Sequence, residues 1–133
     1  MADDALTEFL HAVMPFCATL GIRGVTNTAD EVVMEMDWAP ERCTAGGILH
    51  GGAIMSLADS AGAALAFANL SEGATGTTTI EGKTNMVGAV TEGVVTATAR
   101  PVHVGGQTIV IDTEVRQADR LIAKTVQTQM VLR

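Results

Sequence analysis

The sequence predicts an α+β domain in which an antiparallel sheet curves around one long apolar helix. Three observations carry that expectation. From Gly51 to Ala68 the residues are almost all small or apolar, without proline, over a length that suits a helix better than a strand. Beyond Ser71-Glu72-Gly73 the chain becomes rich in Thr and Val, in runs at residues 77–86, 93–104, 108–116 and 121–132. The connections between those runs, around Gly88, Gly105-Gly106 and Gln117 to Arg120, are short and hold no helix, so successive strands are expected to pair as antiparallel hairpins.

Within residues 1–14, Asp3 or Asp4 can cap a helix whose Leu6, Phe9, Leu10 and Val13 recur every three to four positions until Pro15 ends it. Phe16 to Leu20 read as an irregular turn before Gly21. Glu31 to Trp38 alternate in part between polar and apolar and read as a strand closed by Pro40. Glycines crowd the stretch from Thr44 to Gly52, a loop signature. The helix over 51–68 follows, kept thin by its alanines, so the sheet is expected to approach it around most of its circumference. The 133 residues have the ordinary size of one domain, and 1–133 is read as a single unit.

Hydrophobic residues make up 47% of the chain and charged ones 17%, which suggests that some apolar surface is buried against another copy. A homo-oligomer, a dimer or a tetramer built as a dimer of dimers, is expected. A net charge of -7 argues against nucleic acid, whose phosphates demand clustered Lys and Arg. Cys17 and Cys43 form no CxxC and have no His pair beside them, so no metal site or disulfide framework is indicated. The acidic start Met1-Ala2-Asp3-Asp4 lacks the order of a secretory signal, which points to the cytoplasm. Ser56, Asp59, Ser60 and three glycines interrupt the apolar run from Gly51, so no membrane span is expected.

Asp59 is the only formally charged residue between Thr44 and Ser71. A carboxylate in a mostly apolar helix is costly unless it is hydrogen-bonded or lines a wet pocket, and burial there suits a general base. His50-Gly51-Gly52 stands where the loop enters the helix, with free N–H groups able to face an anion or a developing oxyanion. Gly51 and Asp59 are eight residues apart, about 12 Å along one helix, too far to share one carbonyl. A joint site therefore needs Gly51 of one chain and Asp59 of another, brought together by antiparallel helices at a two-fold axis.

The run Gly47-Ile48-Leu49-His50-Gly51-Gly52-Ala53-Ile54-Met55-Ser56-Leu57-Ala58-Asp59 resembles the HGG-x(3)-S/T-L-x-D signature of PaaI-type hotdog thioesterases. The likeness extends over residues 15–133, through Thr77 to Met86, Thr96 to Arg100 and the Gly105-Gly106-Gln107-Thr108 hairpin. It implies a hotdog fold and hydrolysis of an acyl- or aryl-coenzyme A, with coenzyme A as part of the substrate and no separate cofactor. Asp59 would be nucleophile or general base, and the Gly51 amide, with Gly52, would polarise the thioester carbonyl. His50 would orient carbonyl or leaving group, and Thr78, with Thr77 one step away, would place water beside the acid. Thr44 stands where some relatives carry Asn, and Gly106 where many carry a cation toward the coenzyme A phosphates. Lys83, Arg100 and Arg116 are the basic residues on predicted strands that could meet those phosphates. Two other readings stay open: a hotdog enoyl or 3-hydroxyacyl thioester hydratase, and an acyl-CoA binding protein without turnover.

Overall fold

The computed structural model describes residues 1–133. Asp3 accepts the Leu6 N–H at 3.0 Å and so caps α1 (Asp4–Val13), which buries Leu10. Pro15 then starts a second short helix, α2 (Pro15–Leu20), closed by Gly21 at φ 66°. The turn expected over Phe16 to Leu20 is therefore helical. Proline is preorganised for a first helical position, and buried Cys17 anchors the turn on the core.

A strand that the sequence reading lacks follows, β1 (Arg23–Asn27), paired antiparallel with β2 (Val32–Asp37). Its Gly24 carries α1: a Cβ there would come within 2.6 Å of Leu6 and 2.8 Å of Leu10. Two short 3₁₀ turns, Pro40–Arg42 and Ala45–Gly47, bring the chain to α3 (Gly51–Ala68). Four long strands complete the fold: β3 (Gly76–Met86), β4 (Val94–Val104), β5 (Thr108–Gln117) and β6 (Arg120–Leu132).

All six strands form one antiparallel sheet in the order β1-β2-β4-β5-β6-β3. The β4–β5 and β5–β6 connections are hairpins, as the sequence predicts. The connection around Gly88 is not. β3 pairs only with β6, at one edge, while β4 pairs with β2, so residues 87–93 cross the sheet. That crossing is pinned by buried Val90, whose carbonyl accepts the Leu49 N–H at 2.8 Å, and by Val87 and Gly88, which both donate to the Ile122 carbonyl.

Leu57, Ala58, Ala61 and Leu65 of α3 pack into one core with Met34, Met36, Val95, Ile109, Ile111 and Val115 of the sheet. Each large side chain so buried contributes about 1.5–3 kcal/mol. A curved sheet around a long helix is the hotdog arrangement that the resemblance implies. The sheet covers one face of α3 rather than most of its circumference. Met55, Asp59 and Phe67 are exposed, and Gly52, Ser56 and Ala63 half-buried, at a spacing that forms one open stripe along the helix. The strand beside that stripe is β3, whose second edge pairs with nothing in the chain.

Candidate active site

Asp59 stands on the open stripe of α3 and is exposed in the single chain. The sheet stops at β3 and so does not bury this lone acid, which lines a groove instead. Asp59 has a partner nonetheless: Oδ1 accepts the Thr79 hydroxyl at 2.7 Å. The residue beside the acid is thus Thr79 and not Thr78. Side chains alternate along a strand, so Thr77 and Thr79 face α3, while Thr78 faces outward opposite exposed Met130. A bulge between Thr79 and Glu81 then shifts the parity, which turns Gly82 and Thr84 inward and Lys83 outward.

Asp59 lines a groove of about 390 Å³, with Gly52, Met55 and Ser56 on the helix side and Thr79, Thr84 and Gln127 on the sheet side. A second groove, about 320 Å³ and mostly apolar, runs between α1 and the later half of α3, lined by Phe9, Val13, Met14, Ala63, Ala64 and Phe67 with Thr77 at its edge. Ala63 lies one helical turn beyond Asp59, and Thr77 two residues from Thr79 on the same strand face. The two grooves therefore follow one another along one side of the molecule.

At the start of α3, His50 is the N-cap. Its Nδ1 accepts the Gly52 N–H at 2.7 Å, which leaves the ring proton on Nε2. The His50 carbonyl accepts the N–H groups of Ala53 and Ile54 at 3.0 and 3.2 Å. The Gly52 amide, expected to assist Gly51, is thus already bonded to His50. Gly51 keeps the one amide of this turn without an intrachain acceptor.

The other candidates fall elsewhere. Thr44 is exposed in the glycine-rich loop, where its N–H donates to the Ile48 carbonyl. Arg100 pairs with Glu31 at 2.6 Å, and Arg116 with Glu114 at 3.0 Å. Lys83 is exposed on the outer side of β3 with no ion-pair partner. Gly106 has no charge of its own, yet its carbonyl accepts Arg133 Nη2 at 3.1 Å, so a guanidinium lies on that hairpin. The fold thus pairs Asp59 with Thr79, whereas Gly52, Gly51 and His50 lie at the far end of the same helix stripe, Gly51 about 12 Å from Asp59 along α3.

Behind α3, burial pushes the Cys17 thiol up from its ordinary range, against a hydrogen bond from Ser60 that lowers it. Cys17 is a neutral, packed thiol. Sequence reading missed Thr79, Gln127 and Gln129. The signal for the glutamines was present as an inversion in β6, where Thr125, Gln127 and Gln129 are buried while Val126 and Met130 are exposed.

A family model described as the thioesterase superfamily matches residues 46–124, more than half of the chain. The chain belongs to the thioesterase superfamily. Its relatives include ComA2 of Bacillus subtilis, named as a candidate esterase, 38% identical over 91 residues that cover 68% of this chain and 72% of that protein. Conserved protein PA5202 from Pseudomonas aeruginosa superposes with a TM-score of 0.82 at 31% identity, over 88% of this chain and 93% of that one. Thioesterase HI1161 from Haemophilus influenzae does so at 0.87 and 25% identity, over 96% and 90%. The superfamily match includes His50, Gly51, Asp59 and Thr79, but neither α1 nor the buried glutamines of β6.

Proposed function

We propose that this superfamily member hydrolyses an acyl- or aryl-coenzyme A as a homodimer of the PaaI type, with one site at each end of a pair of α3 helices. The observation that carries the reading is the Asp59–Thr79 pair on the open stripe of α3, beside the unpaired edge of β3. An exposed eleven-residue edge is a template for a further strand. A second copy pairing there, β3 against β3 and antiparallel, covers the stripe and lays two α3 helices side by side. Gly51 and His50 of each copy then face Asp59 of the other.

In such a site Thr79 occupies Oδ1 of Asp59, and Oδ2 takes a proton from water as the water oxygen bonds to the thioester carbon. The Gly51 N–H of the opposite copy meets the oxyanion, and His50 Nε2–H orients the thioester. The C–S bond breaks as the carbonyl re-forms, and the proton held by Asp59 passes to the departing sulfur. The acyl group lies in the groove between α1 and α3, whose mostly apolar lining carries no charge and so favours an uncharged aliphatic or aryl tail. Lys83 and Arg133, neither of them in an ion pair, are the cations this reading assigns to the nucleotide phosphates.

The test is free-thiol release from acetyl-, hexanoyl-, phenylacetyl- and benzoyl-CoA by the parent and by Asp59→Asn. A folded Asp59→Asn protein should lose about two or more orders of magnitude in kcat. If it turns over as fast as the parent, Asp59 is not the base.

A further inference from the structure

We infer that Gln129 is a positioning residue for this site, fixing the direction of the Thr79 hydroxyl and hence which oxygen of Asp59 is left to act on water. The inference rests on the reading of Asp59 as the base, and it begins from the inverted polarity of β6. Gln127 and Gln129 are 1% and 0% exposed, in a core where an amide is tolerated only if it is hydrogen-bonded. They are bonded, and in one sense only.

The sequence of bonds starts at a main-chain carbonyl of α3. Ala58 O can only accept, so the Gln127 group facing it, at 3.3 Å, is the amide nitrogen. Gln127 Oε1 is then the atom that faces Gln129, and it can only accept, so Gln129 must present Nε2 to it, at 2.6 Å. The second hydrogen of that same nitrogen goes to Thr79 Oγ1. A hydroxyl that accepts from Gln129 has one proton left, and the atom within reach of it is Asp59 Oδ1 at 2.7 Å. Gln129 Oε1 has no partner in the chain, so the amide's orientation is set wholly by the two bonds its nitrogen donates.

The relay thus leaves from Ala58 and returns to Asp59, one residue on, with the direction of each of its four bonds assigned. It keeps Oδ1 engaged and Oδ2 free. Gly62 makes room for it, because a Cβ there would overlap the Gln127 amide.

Four proteins test the inference: Gln129→Met, which keeps the volume and deletes the donor; Thr79→Val; Thr79→Ser; and the double variant Gln129→Met/Thr79→Val. The readouts are kcat and KM for whichever of the four acyl-CoA thioesters the parent turns over fastest, with a melting curve for each. Thr79→Val is expected to lower kcat about 10- to 100-fold, the scale of a bond to a charged group. Gln129→Met should lower kcat about three- to tenfold with KM unchanged within about twofold. Thr79→Ser, which retains the hydroxyl, should recover most of the kcat that Thr79→Val loses. In the Thr79→Val background, Gln129→Met should cost nothing further in kcat, because there is no hydroxyl left to orient.

A merely structural role predicts the opposite, the same loss in both backgrounds, and that result overturns the inference. So does a kcat unchanged in Gln129→Met. Should Gln129→Met not fold, Gln127→Met asks the same question one link earlier, with the same loss expected in the parent and none in Thr79→Val. Asp59→Asn separates the two claims. If it is silent, the base reading fails and the relay with it; if it is inactive while Gln129→Met is not, only the relay fails.

Discussion

Gly51 offers an unusually clean perturbation of the proposed oxyanion contact, because proline there removes a single N–H and little else. Gly51 is the first residue of α3, the position at which proline is best tolerated in a helix. His50 before it has φ -63° and ψ 134°, inside the region that a following proline demands. A Cβ at Gly51 would meet only Met86 Cε, at 3.4 Å, an ordinary contact. The amide to be removed has no intrachain acceptor, so the fold loses no hydrogen bond. Gly51→Pro should therefore melt within a few degrees of the parent while kcat falls about 10²–10³-fold, roughly 2.7–4 kcal/mol, the usual loss for one oxyanion donor. Gly51→Ala keeps the N–H and serves as the control for the added carbon. Thiol release measured on all three proteins separates the effects. A folded Gly51→Pro protein with a kcat like that of Gly51→Ala refutes the assignment of this amide.

Three further outcomes follow from particular contacts. Gly62→Ala gains helix propensity but drives a Cβ into the hydrogen-bonded Gln127 amide, so calorimetry should show a net loss of about 1–2 kcal/mol, with a fall in kcat as the relay is displaced. Ala64→Phe fills the apolar groove and should cut kcat/KM for hexanoyl-CoA relative to acetyl-CoA by at least about tenfold; an unchanged ratio removes this groove from acyl recognition. The Arg23 and Arg116 guanidinium groups hold the carboxyls of Asp37 and Glu114 below their ordinary values. Those pairs stabilise the fold above the ordinary carboxylate range and cease to do so as pH falls through the lowered values. The melting temperature of Arg23→Ala should accordingly drop less than that of the parent between about pH 5 and pH 3, a small difference because Asp37 is half exposed and salt screens it.

The elements legible in the sequence were those whose identity depends on local pattern. The shift from glycine-rich to alanine-rich sequence at Gly51 marks the start of α3, and Thr/Val runs separated by short polar or glycine-bearing connections mark β3 to β6. The rest depended on contacts between distant segments. β1 is short and offers one buried position, Gly24, which has no side chain to betray it; its strand character comes from pairing with β2 and from α1 lying on it. The crossing at residues 87–93 resembles a hairpin locally and is decided by Val90 entering the core. At the site, the motif found Asp59 and the His50–Gly51 turn. Thr79 escaped because three consecutive threonines leave strand parity undetermined, and parity is set by pairing with Gln129. The exposure of Asp59 is equally non-local: it follows from the sheet ending at β3.

That ending leads back to the central claim, that each site combines Gly51 of one copy with Asp59 of another. The most direct measurement is to mix two variants, Asp59→Asn and Gly51→Pro, each nearly inactive alone, after dissociating and reassembling them together. With random pairing, half of the dimers are mixed, and one of the two sites in each mixed dimer has both an intact Gly51 and an intact Asp59, so activity should return to about a quarter of the parent's. If the site lies within one chain, no combination restores it, and the mixture should stay as inactive as its two components.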